Sequence, residues 1–559
     1  MRYADLVEYY QRLEATTKKL EKRDILAELY GQCSEKYLSR VVLLSSGTVF
    51  IAGEQELGIA RKMMRRVIVK TYGVSENDVI KKFKETGDLG STAEFFSKNR
   101  KQHSLAKREL TVEHVFENMR KLPDITGAGS HERKIALVNE LLSHASPLGA
   151  RYIVRTILGD MRIGVAAGIV RDAVAKAFGK DAKEIEHAYD IIGDYGQIAG
   201  MARLGKLKAE IRPGRPIRVM LADRAPDLKT ALEKFENPAL EYKYDGFRVA
   251  IHKDGNDVKI FSRRLEDVTH QFPDIAERSR ENIKARQCII EGESLAIGRD
   301  EKPLPFQMLS RRIQRKYDIE RMTKEIPVQV NLFDVVYCNG QSLMNLPLSE
   351  RWSKLKGIVR ETAQLRLAEH METKDFSRAN VFYKRALSMG QEGVIVKNLD
   401  ARYQPGRRVG FWLKVKEVLE PLDLVIVGAE WGEGKRTRYL GSFILAARSG
   451  DTFLETGRMA SGLIEKAGDK EIPTMEEFTA RLKKLIVAEE GKIVRVKPEI
   501  VVEVGYEELQ KSPKYPTGYA LRFPKILRLR PDRSAQDCAT VQEINKLYKL
   551  QRGRFRKSA

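Results

Sequence analysis

The sequence predicts a multidomain protein in three successive parts: an all-α N-terminal region, an α+β middle region and a small C-terminal β-barrel. Three observations carry the prediction. From Tyr3 to about Gly205, apolar residues recur at spacings of three and four, the period of helices with one buried face, and strand patterns are nearly absent. After the segment IRPGRPIRV, residues 211–219, the apolar period changes to two. From LDLVIVGAEW, which begins at residue 422, strand-like runs alternate with glycine-rich turns, the pattern of a small barrel. At about 100–200 residues per domain, 559 residues have room for all three parts.

In the first region, residues 49–73 (VFIAGEQELGIARKMMRRVIVKTYG) and 151–179 (RYIVRTILGDMRIGVAAGIVRDAVAKAFG) each read as helical. Within the former, Arg61, Lys62, Arg65 and Arg66 read most simply as a solvated helix face, which the overall charge also makes a candidate phosphate-binding face. The two prolines and one glycine of residues 211–219 cannot continue a helix and mark a linker. Beyond it, FRVAIHK and DVKIFSR flank Asp254-Gly255-Asn256 and predict a β-hairpin. The strands CIIEGESLAI, VQVNLFDVVY, EGVIVK and FWLKVK follow, with helical stretches between them, which is an α+β arrangement. A last boundary falls at Glu420-Pro421, and one helical segment, about Thr474 to Ala488, interrupts the barrel. The expected domains are residues 1–210, 211–420 and 421–559.

Lysine and arginine number 100 against 77 acidic residues, a net charge of +23, which makes a polyanion the leading class of partner over a merely basic surface. The excess runs through all three regions, so one basic tail does not account for it. With 42% hydrophobic and 32% charged residues and no apolar run of about 18, a membrane span is excluded. The opening MRYADLVEYYQRLEATTKKLEKRD is charged throughout, so no secretory signal is expected. Cys33, Cys288, Cys338 and Cys538 form no CxxC pair, which suggests neither a zinc ribbon nor a disulfide framework and fits a reducing cytoplasm. The eight histidines show no metal-ligand spacing; His252 reads as a packed or exposed strand residue, and no histidine is assigned to chemistry.

The chemistry gathers in the middle region. EYKYDGFR places Lys243 beside a strand-to-turn corner, with Arg248 five positions on. A lysine amine becomes a nucleophile only when cationic neighbours, a metal or desolvation release its proton. The sequence supplies such neighbours in Arg248, Arg263 and Arg264, Lys397, Lys414 and Lys416, any one of which alone would be an ordinary surface cation. Clustered cations also clamp a triphosphate. Glu291 and Glu293 alternate on a strand and so share a face, where they suit Mg²⁺ or a sugar hydroxyl. Gly292 between them allows a close approach or a bulge. Phe333 is either a stacking platform for a base or a core residue.

KYDGFR resembles the adenylation motif of the nucleotidyltransferases. FSRR, EGES, NLFDVVY, EGVIVK and WLKVK then follow in the order and approximate spacing of the ATP-dependent DNA ligases, specifically the archaeal type related to the eukaryotic replicative ligase. KxDG alone is moderately specific; six motifs in order are strongly so. TGDLGSTAE, RYIVRTILGDMRIG, PFQMLSRR and ALRFPKILRLRPDR extend the resemblance over essentially the whole chain. It implies a helical DNA-binding domain, a nucleotidyltransferase (adenylation) domain and an OB-fold barrel. By the resemblance, Lys243 is the nucleophile that carries AMP, Glu241 the adenine contact, Arg248 and Arg263 nucleotide contacts, and Glu293 a residue beside ribose and metal. Phe333 is the stacking aromatic, and Arg408 and Lys414 contact phosphate. Glu392 is the second acidic metal position, Lys416 a further basic one, and Arg522, Arg528, Arg530 and Arg533 form the C-terminal basic motif. Glu291 stands where aspartate is common, Phe247 is bulkier than usual, and Arg533 replaces a lysine.

The resemblance further implies ATP and Mg²⁺ as cofactors, nicked duplex DNA as substrate and a monomer closing around it. Clamp-docking peptides of such ligases carry a glutamine, an aliphatic residue three positions on and two aromatics. In KQHSLAKREL, residues 101–110, Gln102 and Leu105 match, whereas Arg108 and Glu109 replace the aromatics, so weak or absent binding to a sliding clamp is expected there. An mRNA capping-type guanylyltransferase would leave the helical region unexplained. An NAD-dependent ligase would need zinc-binding cysteines, and a catalytically silent DNA-binding scaffold would keep the motif cations by coincidence.

Overall fold

The structure, a computed structural model, describes all residues except 52–55, 101–108, 299–301, 314, 316, 407, 418, 433–435, 437, 461, 464–472 and 552–559. Most of the clamp-docking segment therefore lies outside the described residues. Up to Arg203 the described chain forms helices, from Tyr3–Ala15 to Tyr195–Arg203, and no strand. Two sequence-based helices are corrected. Among the described residues of the run from residue 49, only Arg61–Tyr72 is helical, preceded by Gly58 at φ +64° and an extended Ala60 and stopped by Gly73 at φ +65°. The run from residue 151 is split between Pro147–Ile157 and Ala167–Phe178, because Gly159, Arg162 and Gly164 all take positive φ. A right-handed helix cannot pass through such residues. Apolar periodicity continued across these breaks because the intervening loops also bury aliphatic side chains, among them Ile59, Met161 and Ile163.

The helical core is one continuous cluster, including Leu6, Tyr10, Tyr30, Val41, Leu142, Ile153 and Ile198. Buried Arg155 ties it together, reaching Asp88 at 2.8 Å and Glu14 at 3.0 Å.

The middle region contains two sheets. The five-stranded one has the order Leu221–Arg224, Arg408–Lys416, Gly393–Asn398, Pro238–Lys243, His370–Glu372. The six-stranded one runs Asp257–Ser262, Phe247–Asp254, Gln287–Ala296, Val328–Cys338, Gln341–Ser342, with Leu365–Leu367 parallel on Val328–Cys338. The expected hairpin is present, with Asp254 paired to Asp257. One face of the six-stranded sheet carries a core of Val249, Ile260, Phe272, Ile290, Leu332, Trp352 and Leu355.

The last region is strand-rich. Leu422–Trp431 pairs along one edge with Leu440–Ser449, and along the other first with Val501–Gly505 and then with Ile493–Val496. This exchange of partners bends the sheet around Leu424, Phe443, Phe478 and Val502. The helix expected from Thr474 to Ala488 spans Met475–Lys483, opened by a capping box of Thr474 and Glu477. Ile486–Glu490 is a strand instead. By packing, the chain forms two compact units: Met1–Phe382 with Val394–Val415, and Tyr383–Gly393 with Lys416–Ala559. No helix among the described residues is long and apolar enough to cross a membrane.

Candidate active site

Lys243 is the last residue of the strand Pro238–Lys243 and is half-buried. The chain then turns through Tyr244, Asp245 and Gly246 into Phe247–Asp254. Gly246 is required by close approach: a Cβ there would lie 2.5 Å from the Ser294 carbonyl oxygen and 2.8 Å from Glu293 Cγ. The corner is thereby pressed onto the strand that bears Glu293. One step further, Arg248 stands directly opposite Glu293 in the antiparallel register, so the two side chains share a face.

Phe333 owes its position to a bulge. Glu291 pairs with Asp334 and Gly292 with Leu332, leaving Phe333 as the extra residue of its strand. Its ring is buried and crosses that of Trp412 at 85° with centroids 6.1 Å apart. Two cations lie against this pair. Lys397 Nζ is 4.6 Å from the Phe333 centroid and 4.3 Å from that of Trp412, and the Arg248 guanidinium is 5.1 and 5.4 Å from them. Lys397, only 2% exposed, also lies 2.5 Å from Glu241, whose other oxygen is 3.2 Å from His370 Nδ1. Burial works to raise the Glu241 carboxyl, but the Lys397 ammonium and the His370 ring outweigh it and hold the group below the usual carboxylate range.

Glu291 is the partner that makes a buried Arg248 tenable. It accepts from Arg248 at 2.7 Å and from the Tyr403 hydroxyl at 2.7 Å, while Arg248 also donates to the Met220 carbonyl. Burial would lower the Arg248 guanidinium, and Glu291, with Glu293 adding to it, reverses that effect. Glu291 is therefore not a ligand facing a metal beside Glu293. It is a fully enclosed counter-charge, and the longer reach of glutamate over aspartate serves both partners.

Several expected residues stand elsewhere. Arg263 is exposed at a turn built by the Ser262 hydroxyl and Leu265 at φ +70°, outside the buried cluster. Its neighbour Arg264 lines a cleft of about 1000 Å³ with Lys134, Tyr189 and Tyr195 of the helical region. Arg408 is exposed at the start of its strand, and Lys414 is half-buried in parallel register with Arg224. Within the second unit, Lys416 Nζ lies 2.9 Å from Glu392 and 3.0 Å from Glu507, and Arg522 lies 3.1 Å from Glu508 and 4.0 Å from Glu392. Arg530 and Arg533 converge on Asp423, at 2.8 and 3.2 Å, and Arg528 pairs with Glu503. Sequence reasoning assigned no role to His370, Trp412 or Tyr403; Trp412 opens the WLKVK motif, whereas His370 and Tyr403 lie outside the quoted motifs.

Three family models match in order: a DNA ligase N terminus over residues 2–175, an ATP dependent DNA ligase domain over 219–416 and an ATP dependent DNA ligase C terminal region over 436–533. A DNA ligase of Nanoarchaeum equitans is 45% identical over 569 aligned residues, covering 100% of each chain. The chain belongs to the ATP-dependent DNA ligases. A DNA ligase of Thermococcus onnurineus is 42% identical, over 99% of this chain and 98% of that one. The solved structure named Pmar-Lig_PreS3 shares the fold at a TM-score of 0.60 and 17% identity, over 94% of this chain and 99% of its own. The protein is thus an enzyme whose family activity is the sealing of nicks in DNA.

The buried cluster suits a nucleotide. It combines an aromatic platform, cations for phosphate and a carboxylate able to accept from an exocyclic amine. Among the described residues, no group of three or more His, Cys, Asp or Glu is arranged to hold a metal ion.

Proposed function

We propose that Lys243 attacks the α-phosphate of ATP, carries AMP with loss of pyrophosphate, and passes it to the 5′-phosphate of a nick, where the 3′-hydroxyl displaces it. The observation that carries this reading is the corner that follows Lys243, where Gly246 packs against the strand bearing Glu293 and Arg248 pairs with Glu293 across the ladder. Glu241 reads the adenine amino group, Phe333 stacks on the base, Arg248 and Arg263 hold the nucleotide, and Arg408, Lys414 and Lys416 contact phosphate. In the free protein the Glu241 carboxylate is occupied by Lys397 and His370, so base recognition exchanges one of these contacts.

Glu293 and Glu392 are the residues that would hold Mg²⁺, which when bound neutralises charge on the phosphates. Lys416 and Arg522 now balance Glu392, and a metal there requires them to turn toward phosphate instead. Arg522, Arg528, Arg530 and Arg533 orient the pyrophosphate during self-adenylation. The working domains are residues 1–210, which grip duplex DNA through its backbone, 211–420, which adenylate, and 421–559, which complete an encircling clamp. The protein acts as a cytoplasmic monomer, and residues 101–110 dock weakly or not at all on a sliding clamp.

Incubation with labelled ATP, GTP or NAD followed by denaturing electrophoresis tests the reading. Label is expected from ATP alone, and Lys243→Ala is expected to abolish both covalent AMP and nick joining, since no other side chain supplies an amine at that corner. A Lys243→Ala protein that still gains the mass of AMP under denaturing conditions would overturn it.

A further inference from the structure

Two of the four cysteines meet across the central sheet. Cys288 and Cys338 are direct partners in the antiparallel ladder between Gln287–Ala296 and Val328–Cys338, and all four cysteines are free thiols. The hydrogen bonding fixes which kind of pair they form. The Asn339 amide donates to the Gln287 carbonyl at 2.8 Å, and the Gln287 amide donates back to the Asn339 side-chain oxygen at 3.0 Å. Gln287 and Asn339 therefore take the hydrogen-bonded position, and the next pair inward, Cys288 and Cys338, is non-hydrogen-bonded. At such positions Cα atoms approach to about 4.5 Å and the side chains leave the same face side by side. That separation lies inside the range a disulfide spans, about 4.4–6.8 Å. Cys33 and Cys538 have no cysteine partner in any described strand pairing.

We infer that Cys288 and Cys338 are a latent cross-strand disulfide, closed by exchange with a small-molecule disulfide such as oxidised glutathione. Both side chains lie in the apolar core, so the small disulfide reaches Cys338 through local opening of the exposed turn Asn339-Gly340 and edge strand Gln341–Ser342 beside it. The Cys338 thiolate attacks one sulfur of the small disulfide and expels one thiolate, leaving a mixed disulfide. The Cys288 thiolate then attacks the Cys338 sulfur, the new S–S bond forms, and the second small thiolate leaves. The two protein thiols are oxidised, the small disulfide is reduced to two thiols, and those thiols keep the two protons. Burial raises both protein thiols, Cys288 to about 12, so closure is slow, on the scale of minutes to hours. Its structural effect is local to the site: the bridge clamps the two strands that carry Glu291, Glu293 and the Phe333 bulge.

The test uses the full-length protein incubated with oxidised glutathione, then denatured, alkylated without reduction and mapped by mass spectrometry. Two of four thiols are expected to be lost to alkylation, with one cross-linked species joining the peptides of Cys288 and Cys338. The oxidised protein is expected to melt higher than the reduced one, and Cys288→Ser to accumulate the glutathione adduct on Cys338 without closing. If that variant fails to fold, the wild-type map alone decides. Four alkylated thiols after prolonged exposure, a persistent mixed disulfide in the wild type, or a bridge through Cys33 or Cys538 would overturn the assignment.

Discussion

Arg248 sits where a lone guanidinium would be very costly, and Glu291 is what removes most of that cost. Breaking such a pair from one side leaves an uncompensated buried charge, whereas replacing both partners with apolar groups of similar size is close to neutral. Glu291→Leu is therefore expected to lower stability by about 3–5 kcal/mol, and Arg248→Met with Glu291→Leu to recover most of it. The double variant should still adenylate poorly, because its nucleotide contact is gone. Urea midpoints with an adenylation assay on the same samples check this, and a double variant as unstable as the single one counts against it. At this scale the sequence was informative where a residue's role is local. Lys243, Arg248 and Gly246 lie within six positions, and strand alternation puts Glu293 on the face it shares with Arg248. The partner of Glu241 was illegible because His370 lies 129 residues away and meets it only through the sheet. The role of Glu291 was misjudged for a similar reason: alternation says which face a side chain takes, not that Tyr403 and Arg248 already fill that space.

Among the elements, the strand Phe247–Asp254 shows how burial makes stability depend on pH. His252 lies on it, fully enclosed, its Nδ1 accepting from the Gly214 amide of the linker, and burial lowers its pKa to about 3. The folded protein therefore keeps the ring neutral where the unfolded chain, at its ordinary value near 6.5, takes up a proton. The group's stabilising contribution is complete above about pH 6.5 and is lost progressively as pH falls toward 3. His252→Phe is expected to flatten the pH slope of the urea midpoint between pH 7 and 4 by an amount worth a few kcal/mol, an order-of-magnitude figure. An unchanged slope would mean the ring is not the titrating group. Periodicity located elements well but ends poorly: the apolar pattern ran straight through Gly58, Gly159 and Gly164, whose positive φ excludes a helix there, since a buried loop keeps the pattern without the conformation. At the other end of the chain, Arg530 and Arg533 both pin Asp423 of the first barrel strand. Arg530→Ala with Arg533→Ala should slow self-adenylation more than the sealing of an already adenylated nick, while Asp423→Asn should lose the same pins without that selectivity. Single-turnover rates for the two steps decide it, and equal slowing by the arginine variants points to a purely structural role.

For the whole molecule, the governing quantity is the net charge of +23, carried by all three regions rather than by a tail. Much of it is already balanced internally. Arg155, Arg351, Arg312 and Lys397 are buried in ion pairs and unavailable to a polyanion, so the outward field comes from surface cations such as Lys62, Arg263 and Arg408. Surface cations that meet a phosphate backbone displace condensed counterions and read no base, which fixes the form of the binding curve. The logarithm of affinity for nicked duplex should fall linearly with the logarithm of salt concentration, with a slope of about −0.9 for each phosphate contacted. The slope should be the same for two nicked duplexes of unrelated sequence. Lys243→Ala should leave it unchanged, because the nucleophile is one half-buried amine at a corner and not part of the outward field. Fluorescence anisotropy across a salt series with both duplexes measures all three quantities. A shallow slope, or a preference between the sequences larger than the salt effect, would mean that base edges or apolar contacts dominate the grip.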